Sequence, residues 1–335
     1  MSWAGRSSLA EGPRSDGSSR PWEVAATLDG TVPLPGSGRT WERWRELASV
    51  ALIDLVAARL GEGHLDALAI LAELGHGEAE VAGPLGVWAA EAPPRGVVAR
   101  STASGWVLDG RRAWCSGATS LGTALVTAHA PDGLRLFLVP LATPGVRPLA
   151  DTWPAVGMAA SDSLTVEFTG VALPPEAAVG QPGQYLDRPG FWHGAMGVAA
   201  CWFGGAVGVA RGLRDAATER PDPHRLAHLG AVDSALTAMG DVLRAAATAT
   251  DADPHDLADA GERRARRVRA TIEHGCDEVL AHTGRGTGAG PLGHDGDHAR
   301  RVADLTVYLR QSHAEADLAA LGAAVLGRAD DWLAR

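Results

Sequence analysis

Gly105-Trp-Val-Leu-Asp-Gly-Arg-Arg-Ala-Trp-Cys-Ser-Gly-Ala118, then Pro131-Asp132-Gly133, Gly157-Met158, and Ser161-Asp162-Ser163 running into Leu164-Thr-Val-Glu-Phe-Thr169, decide how this chain is read. In the last stretch Leu164, Val166 and Phe168 alternate with Thr165, Glu167 and Thr169. Successive side chains of a strand point to opposite faces, so this is a half-buried strand. Asp-Gly and Pro-Gly pairs form turns. Strands are expected over residues 85–89, 97–100, 105–108, 124–128, 134–139 and 164–168, and residues 171–190, with several Pro and Gly, read as a connection. Short strands so closely spaced suggest a small antiparallel barrel or sandwich.

On either side the period becomes helical. Before the strands, Trp44, Leu47, Ala48, Ala51, Leu52 and Leu55 share one face, and Leu65, Leu68, Leu71 and Leu74 continue the pattern after Gly61-Glu62-Gly63. Two helices joined by a short turn follow. After the strands, helices are expected over 191–219, 224–250, 261–283 and 298–333; in the third, Ala265, Val268, Ile272, Cys276, Val279 and Leu280 fall on one face. The first of these is apolar nearly all round and rich in Gly and Ala, which places it at the centre of a bundle.

Composition narrows the function. With 335 residues, 46% hydrophobic and 21% charged, the chain can bury a sizeable core, and no apolar run is read as a membrane span. A net charge of −10 argues against a nucleic-acid partner. The basic run at Arg263, Arg264, Arg266, Arg267 and Arg269 reads as a solvated helix face. Three scattered cysteines, Cys115, Cys201 and Cys276, make a disulfide framework or Cys-based zinc site improbable and fit a cytoplasmic protein. The pairs His224/His228 and His294/His298 lack a clear third ligand and read as surface or capping residues, so no metal is expected. Residues 1–37, rich in Gly, Ser, Pro and Arg, read as a flexible leader rather than a targeting peptide.

The order of elements, with the quoted motifs, resembles the acyl-CoA dehydrogenase family. The likeness is clearest from about Gly105 to Ala210 and continues through the C-terminal helices. It implies an α+β fold: a shortened N-terminal helical domain (38–83), a central small antiparallel β-barrel (84–182) and a C-terminal four-helix bundle (183–335). It also implies an FAD cofactor. Asp109-Gly-Arg-Arg-Ala-Trp-Cys-Ser116 stands where the family places an aromatic ring and a hydroxyl against the flavin, with Arg112 where Lys is frequent. Trp114 is then expected to cover the ring and Ser116 to meet its N5 edge. Val87-Trp88-Ala89-Ala90-Glu91 occupies the place of a second flavin-contacting segment; Glu91 is kept, whereas Ala90 replaces a Thr. Arg285-Gly-Thr-Gly288-Ala-Gly290 resembles the Gly-rich loop by which a neighbouring subunit meets the flavin diphosphate, which implies a homodimer or homotetramer. A helix rather than a strand precedes this loop, so it is not a dinucleotide fingerprint.

The resemblance also implies α,β-dehydrogenation of an acyl thioester, with a Glu base and hydride transfer to flavin N5. Neither family base position holds a carboxylate: one falls at about Ser312, the other near Val198 or Ala199. His313 and Glu315 are the nearest titratable groups to the first and are the expected catalytic pair. The helix 192–199 carries no Arg for CoA. Two other readings therefore accompany the first: a flavin-dependent monooxygenase or oxidase acting through His313 on a small substrate, and a non-catalytic partner subunit of the same fold.

Overall fold

The computed structural model describes residues 28, 32–76, 83–90 and 96–326. Two helices, α1 (Thr40–Ile53) and α2 (Leu55–Glu73), precede the sheet. Asp54 separates them in extended backbone, and its carboxylate caps α2 by accepting from the Ala57 N–H.

The strands are β1 (Leu85–Trp88), β2 (Val97–Thr102), β3 (Gly105–Cys115), β4 (Thr123–Ala130), β5 (Gly133–Pro140), β6 (Val146–Leu149), β7 (Leu164–Leu173) and β8 (Ala178–Val179). They form one sheet in the order β6-β7-β3-β2-β4-β5-β8, with β1 added on β4. The sheet is mixed, where an antiparallel one was expected. β1 pairs Leu85–Trp88 with residues 123–126 of β4, and β2 pairs Val97 and Val98 with Ala128 and His129, both in parallel. The two strands thus share one edge of β4 end to end, while the β4–β5 hairpin takes the other edge. Turn signals register only the hairpins; parallel pairing between distant segments leaves no local mark.

β3 and β7 outrun their expected ends. β3 continues to Cys115 because two register shifts against β7, at Leu108/Gly110 and Arg112/Cys115, absorb extra residues as bulges. β7 continues to Leu173, within the segment read as a connection.

After a short turn of helix, α3 (Gln184–Asp187), come α4 (Pro189–Glu219), α5 (Pro223–Ala252), α6 (Gly261–Thr287), α7 (Gly290–His294), α8 (Gly296–Leu309) and α9 (Glu315–Leu326). α4 is the central helix; by length and composition it is apolar enough to cross a membrane, but 78% of its most apolar window is buried inside the protein. The expected last helix is broken: residues 310–314 form a turn in which Ala314 has φ 43°, so α8 and α9 are separate.

One hydrophobic core unites the helices before the sheet with those after it: Trp44, Leu47 and Leu55 pack with Met196, Trp202, Ile272 and Leu305. A second core around Leu108, Phe137, Val166 and Phe168 belongs to the sheet. Much of the expected leader falls outside the described residues; within it, Leu28 is buried and the Pro33 carbonyl accepts from the Arg43 guanidinium (3.1 Å).

Candidate functional site

The two cores meet where the loop after β6 reaches α8. Gly157 lies so close to α8 that a Cβ there would stand 2.0 Å from the Ala303 carbonyl oxygen, a contact only glycine permits. The next residue, Met158, donates its N–H to the Asp304 carboxylate (2.5 Å). Burial raises the pKa of Asp304, while this hydrogen bond opposes the shift. A 3₁₀ turn, Ala159–Ser161, then leads into β7 and delivers Ser161 and Ser163 beneath the end of β3.

Here β3 ends in a bulge. Trp114 has φ 59°, a conformation few non-glycine residues adopt, and its indole is 55% exposed. Two residues on, the Ser116 hydroxyl is buried and lies 2.8 Å from Ser163 Oγ, which in turn lies 2.8 Å from Ser161 Oγ. Ser161 donates to the Met158 carbonyl (2.7 Å). The Trp88 indole N–H donates to the Ser116 carbonyl (3.1 Å), so Trp88 lies in the sheet core and fixes the backbone of Ser116. In the loop before Met158, Val156 is 87% exposed. An indole held by strained backbone in the open, beside a recessed hydroxyl, suits a flat conjugated ring: the ring would cover apolar surface and find one polar partner. An exposed aromatic face with one hydroxyl at its edge fits a flavin.

Arg112 is buried beneath this ledge. It donates to the Ala90 carbonyl (2.8 Å) and to the Thr127 carbonyl, tying β3 to β4 and to the chain just after β1. Ala90 therefore contributes a main-chain oxygen to the scaffold. Glu91 lies outside the described residues.

Ser116 also lines a small open recess, with room for little more than a water molecule, together with Arg59, Leu60, Gly63, Leu85, Trp88 and Leu121, among others. Arg59 belongs to α2, and behind it is a group of charges that the apolar periodicity of that helix concealed. Arg59, Glu62 and Asp66 recur at i, i+3 and i+7, one helical face. Arg59 pairs with Glu62 at 2.8 Å. Arg43, from α1, approaches Asp66 at 3.8 Å, and Arg188 pairs with Glu73 at 2.7 Å. Asp66 presses against the backbone of α4, where a Cβ at Gly194 would be 2.5 Å from its carboxylate. Burial pushes Glu62 up to about 7 against the opposing pull of Arg59, and it raises Asp66 as well. Although surrounded by protein, Asp66 keeps 21% and Arg59 16% of their side-chain surface open to water. Tyr308 on α8 and Trp202 on α4 are also buried, with their rings edge to face.

The expected catalytic pair lies elsewhere. His313, in the turn between α8 and α9, has an 80% exposed side chain 3.9 Å from Asp317, and Glu315 is an exposed first residue of α9. Ser312, at the family base position, donates instead to the Glu273 carboxylate of α6 (2.5 Å). Val198 and Ala199 are buried in the helical core. Arg285, Gly288 and Gly290 are exposed where α6 gives way to α7, with Gly288 at φ 70°. The expected loop is shorter than read: α6 runs to Thr287, so Arg285 and Gly286 lie in its last turn, where Gly286 packs on Leu213 and His228, near the C-terminal half of α4. Within one chain this loop is a surface separate from Trp114 and Ser116. His298 packs on Gly212, and His228 meets His282 at 2.9 Å.

No family model matches the chain. The human mitochondrial short-chain specific acyl-CoA dehydrogenase is 31% identical over 126 residues, covering 33% of this chain and 30% of that protein. The bovine enzyme is 30% identical over 131 residues, covering 36% and 29%. The match thus spans under a third of those curated relatives. Solved structures match at nearly full length. TdsC from a Paenibacillus species, in complex with FMN and indole, superposes with a TM-score of 0.77 at 18% identity over 92% of this chain and 96% of that one. KijD3 in complex with dTDP gives 0.77 at 20% identity over 92% and 94%. The 3-HSA hydroxylase of a Rhodococcus species gives 0.72 at 16% over 86% and 83%. The chain has the acyl-CoA dehydrogenase-like fold.

Proposed function

We propose that this chain is a flavin-dependent oxidoreductase in which Trp114 would cover the flavin ring and Ser116 would meet its N5 edge, with the substrate's polar groups turned toward the charged cluster of Arg59, Glu62 and Asp66. One observation carries this reading: a single recess borders both Ser116 on the sheet and Arg59 of the charged cluster on α2. The flavin, when bound, supplies a two-electron acceptor; the chain binds, orients and moves protons. Trp114 offers a fixed aromatic face, Trp88 holds the Ser116 backbone, and Arg112 and Ala90 keep the strands beneath in register. Arg285, Gly288 and Gly290 meet a diphosphate bound mainly by a second copy, which makes FAD the cofactor and a homodimer or homotetramer the working state. FMN, held by TdsC, is the other flavin to test for.

Glu62 is the proton acceptor. It lies beside Arg59, next to the flavin slot, and its raised pKa lets it take up and release protons near neutrality. Among the described residues no hydrogen bond satisfies Asp66, so its carboxylate is available to an amine or hydroxyl of the substrate. Charges so placed suit a small polar molecule better than an alkyl chain, because desolvating them against hydrocarbon is costly. The reaction is accordingly read as a monooxygenation or oxidation; the likeness to TdsC, a dibenzothiophene monooxygenase, and to the Rhodococcus 3-HSA hydroxylase supports it. α,β-Dehydrogenation of an acyl thioester is the second reading, favoured by the match to short-chain acyl-CoA dehydrogenases.

The visible spectrum of the purified protein, followed by release and chromatography of the chromophore, tests the cofactor. A colourless protein that takes up neither FAD nor FMN sinks the reading. With flavin bound, oxygen consumption driven by an NADH-dependent flavin reductase marks the first reaction, and anaerobic bleaching by acyl-CoA thioesters marks the second.

A further inference from the structure

The hydroxyl beside the flavin slot has a fixed polarity, set by atoms well below it. The Met158 carbonyl can only accept, and it does so from the Ser161 hydroxyl (2.7 Å), the Ser161 N–H (3.0 Å) and the Trp153 indole N–H (2.9 Å). The single hydroxyl proton of Ser161 is therefore committed to that carbonyl. Ser163, 2.8 Å from Ser161 Oγ, must then be the donor in their contact. With its proton so committed, Ser163 can only accept in its own 2.8 Å contact with Ser116. Ser116 thus donates inward. All three hydroxyls are buried, so bulk water is not free to reverse them one at a time. At its far end the chain is anchored to α8, where Asp304 accepts from the Met158 N–H.

We propose that Ser161 and Ser163 are positioning residues that turn the Ser116 hydroxyl so that a lone pair, not a proton, faces the flavin N5. The proposal rests on the placement of the flavin given above. Oxidised flavin carries a lone pair at N5, whereas the two-electron-reduced ring carries N5–H. An acceptor at this position satisfies the reduced form and leaves the oxidised form facing a lone pair. For Ser116 to donate to the oxidised ring, it would have to leave two hydroxyl oxygens 2.8 Å apart with no proton between them. The relay therefore raises the flavin midpoint potential and favours electron uptake from a substrate or reductase.

The test is the midpoint potential of the flavin-loaded protein, measured by dye-coupled anaerobic reduction, for wild type, Ser116→Ala, Ser163→Ala and Ser161→Ala. Ser163→Ala frees the Ser116 proton to reach oxidised N5. Ser161→Ala lets Ser163 turn its proton to Ser116, with the same effect. Both variants are expected to lower the potential by at least a tenfold change in the reduced-to-oxidised affinity ratio, about 30 mV for a two-electron couple. Ser116→Ala, which removes the acceptor without supplying a donor, is expected to lower it by less. A rise in Ser116→Ala, or unchanged potentials in both relay variants with flavin bound, overturns the proposal and leaves the flavin reading intact. Failure of the wild type to bind any flavin overturns both, and the spectrum alone distinguishes that outcome.

Discussion

At the scale of single residues, the exposed Trp114 and the buried Glu62 are both costly where they stand, and each cost has a measurable signature. Trp114 keeps its indole in solvent at a strained φ, so it contributes little to the stability of the empty chain. Trp114→Ala is expected to change the unfolding free energy of the flavin-free protein by no more than about 0.5 kcal/mol, as for surface substitutions, yet to weaken flavin binding at least about fivefold, since stacking of this kind is worth about 1 kcal/mol or more. Denaturant melts and a flavin titration measure the two effects; unchanged affinity would make the indole an ordinary surface aromatic. Glu62 is governed by protonation. Its folded-state pKa of about 7 lies above its ordinary 4.5, so between these values the folded chain holds the proton more tightly than the unfolded chain. Its contribution to stability is greatest at acid pH and is lost as pH rises through about 7. The melting temperature of wild type relative to Glu62→Gln is therefore expected to fall between about pH 5 and about pH 8. A flat difference across that range would mean that Glu62 titrates like an exposed carboxylate.

At the scale of elements, the loop after β6 couples sheet to helices. Gly157 lets it approach α8, and Asp304 then secures Met158. Gly157→Ala would drive a methyl group into the Ala303 carbonyl and push the loop off the helix, at an expected cost of about 1–3 kcal/mol. Asp304→Ala leaves the Met158 N–H without its partner, at an expected cost of about 1–3 kcal/mol. Because both changes break the same junction, the double variant should lose less than the sum of the two, which chemical denaturation of all four proteins can show. Additivity would mean that the loop is held elsewhere. Much of this element was legible beforehand: Gly157-Met158 and Ser161-Asp162-Ser163 stood out as the lead into an alternating strand. Their partner was not, because Asp304 lies in a helix whose surface reading gives no sign of a loop 146 residues away in sequence.

At the scale of the whole molecule, the Gly-rich loop at the α6–α7 junction forms its own exposed surface on a chain whose proposed ring site is at Trp114 and Ser116. If a second copy brings the two together, Arg285→Ala should weaken FAD binding several-fold while leaving FMN binding nearly unchanged, since FMN lacks the diphosphate. Flavin titrations alongside light-scattering measurements of mass would check this, and equal loss for both flavins would remove Arg285 from the diphosphate site.

Local periodicity was enough to determine the helix–strand–helix order, where most of the strands begin, and the centrality of the helix that begins near Phe191, because alternation and the 3.6-residue repeat are written along the chain itself. Tertiary structure alone decided the parallel sharing of β4, the break between α8 and α9 that leaves His313 exposed, and the enclosure of Arg59, Glu62 and Asp66. The i, i+3, i+7 spacing of those three charges is present in the sequence, but a charged stripe on a helix ordinarily faces water. Only the packing of α4 and α8 against that face turns it inward, and burial, not sequence, gives Glu62 a proton to exchange near neutral pH.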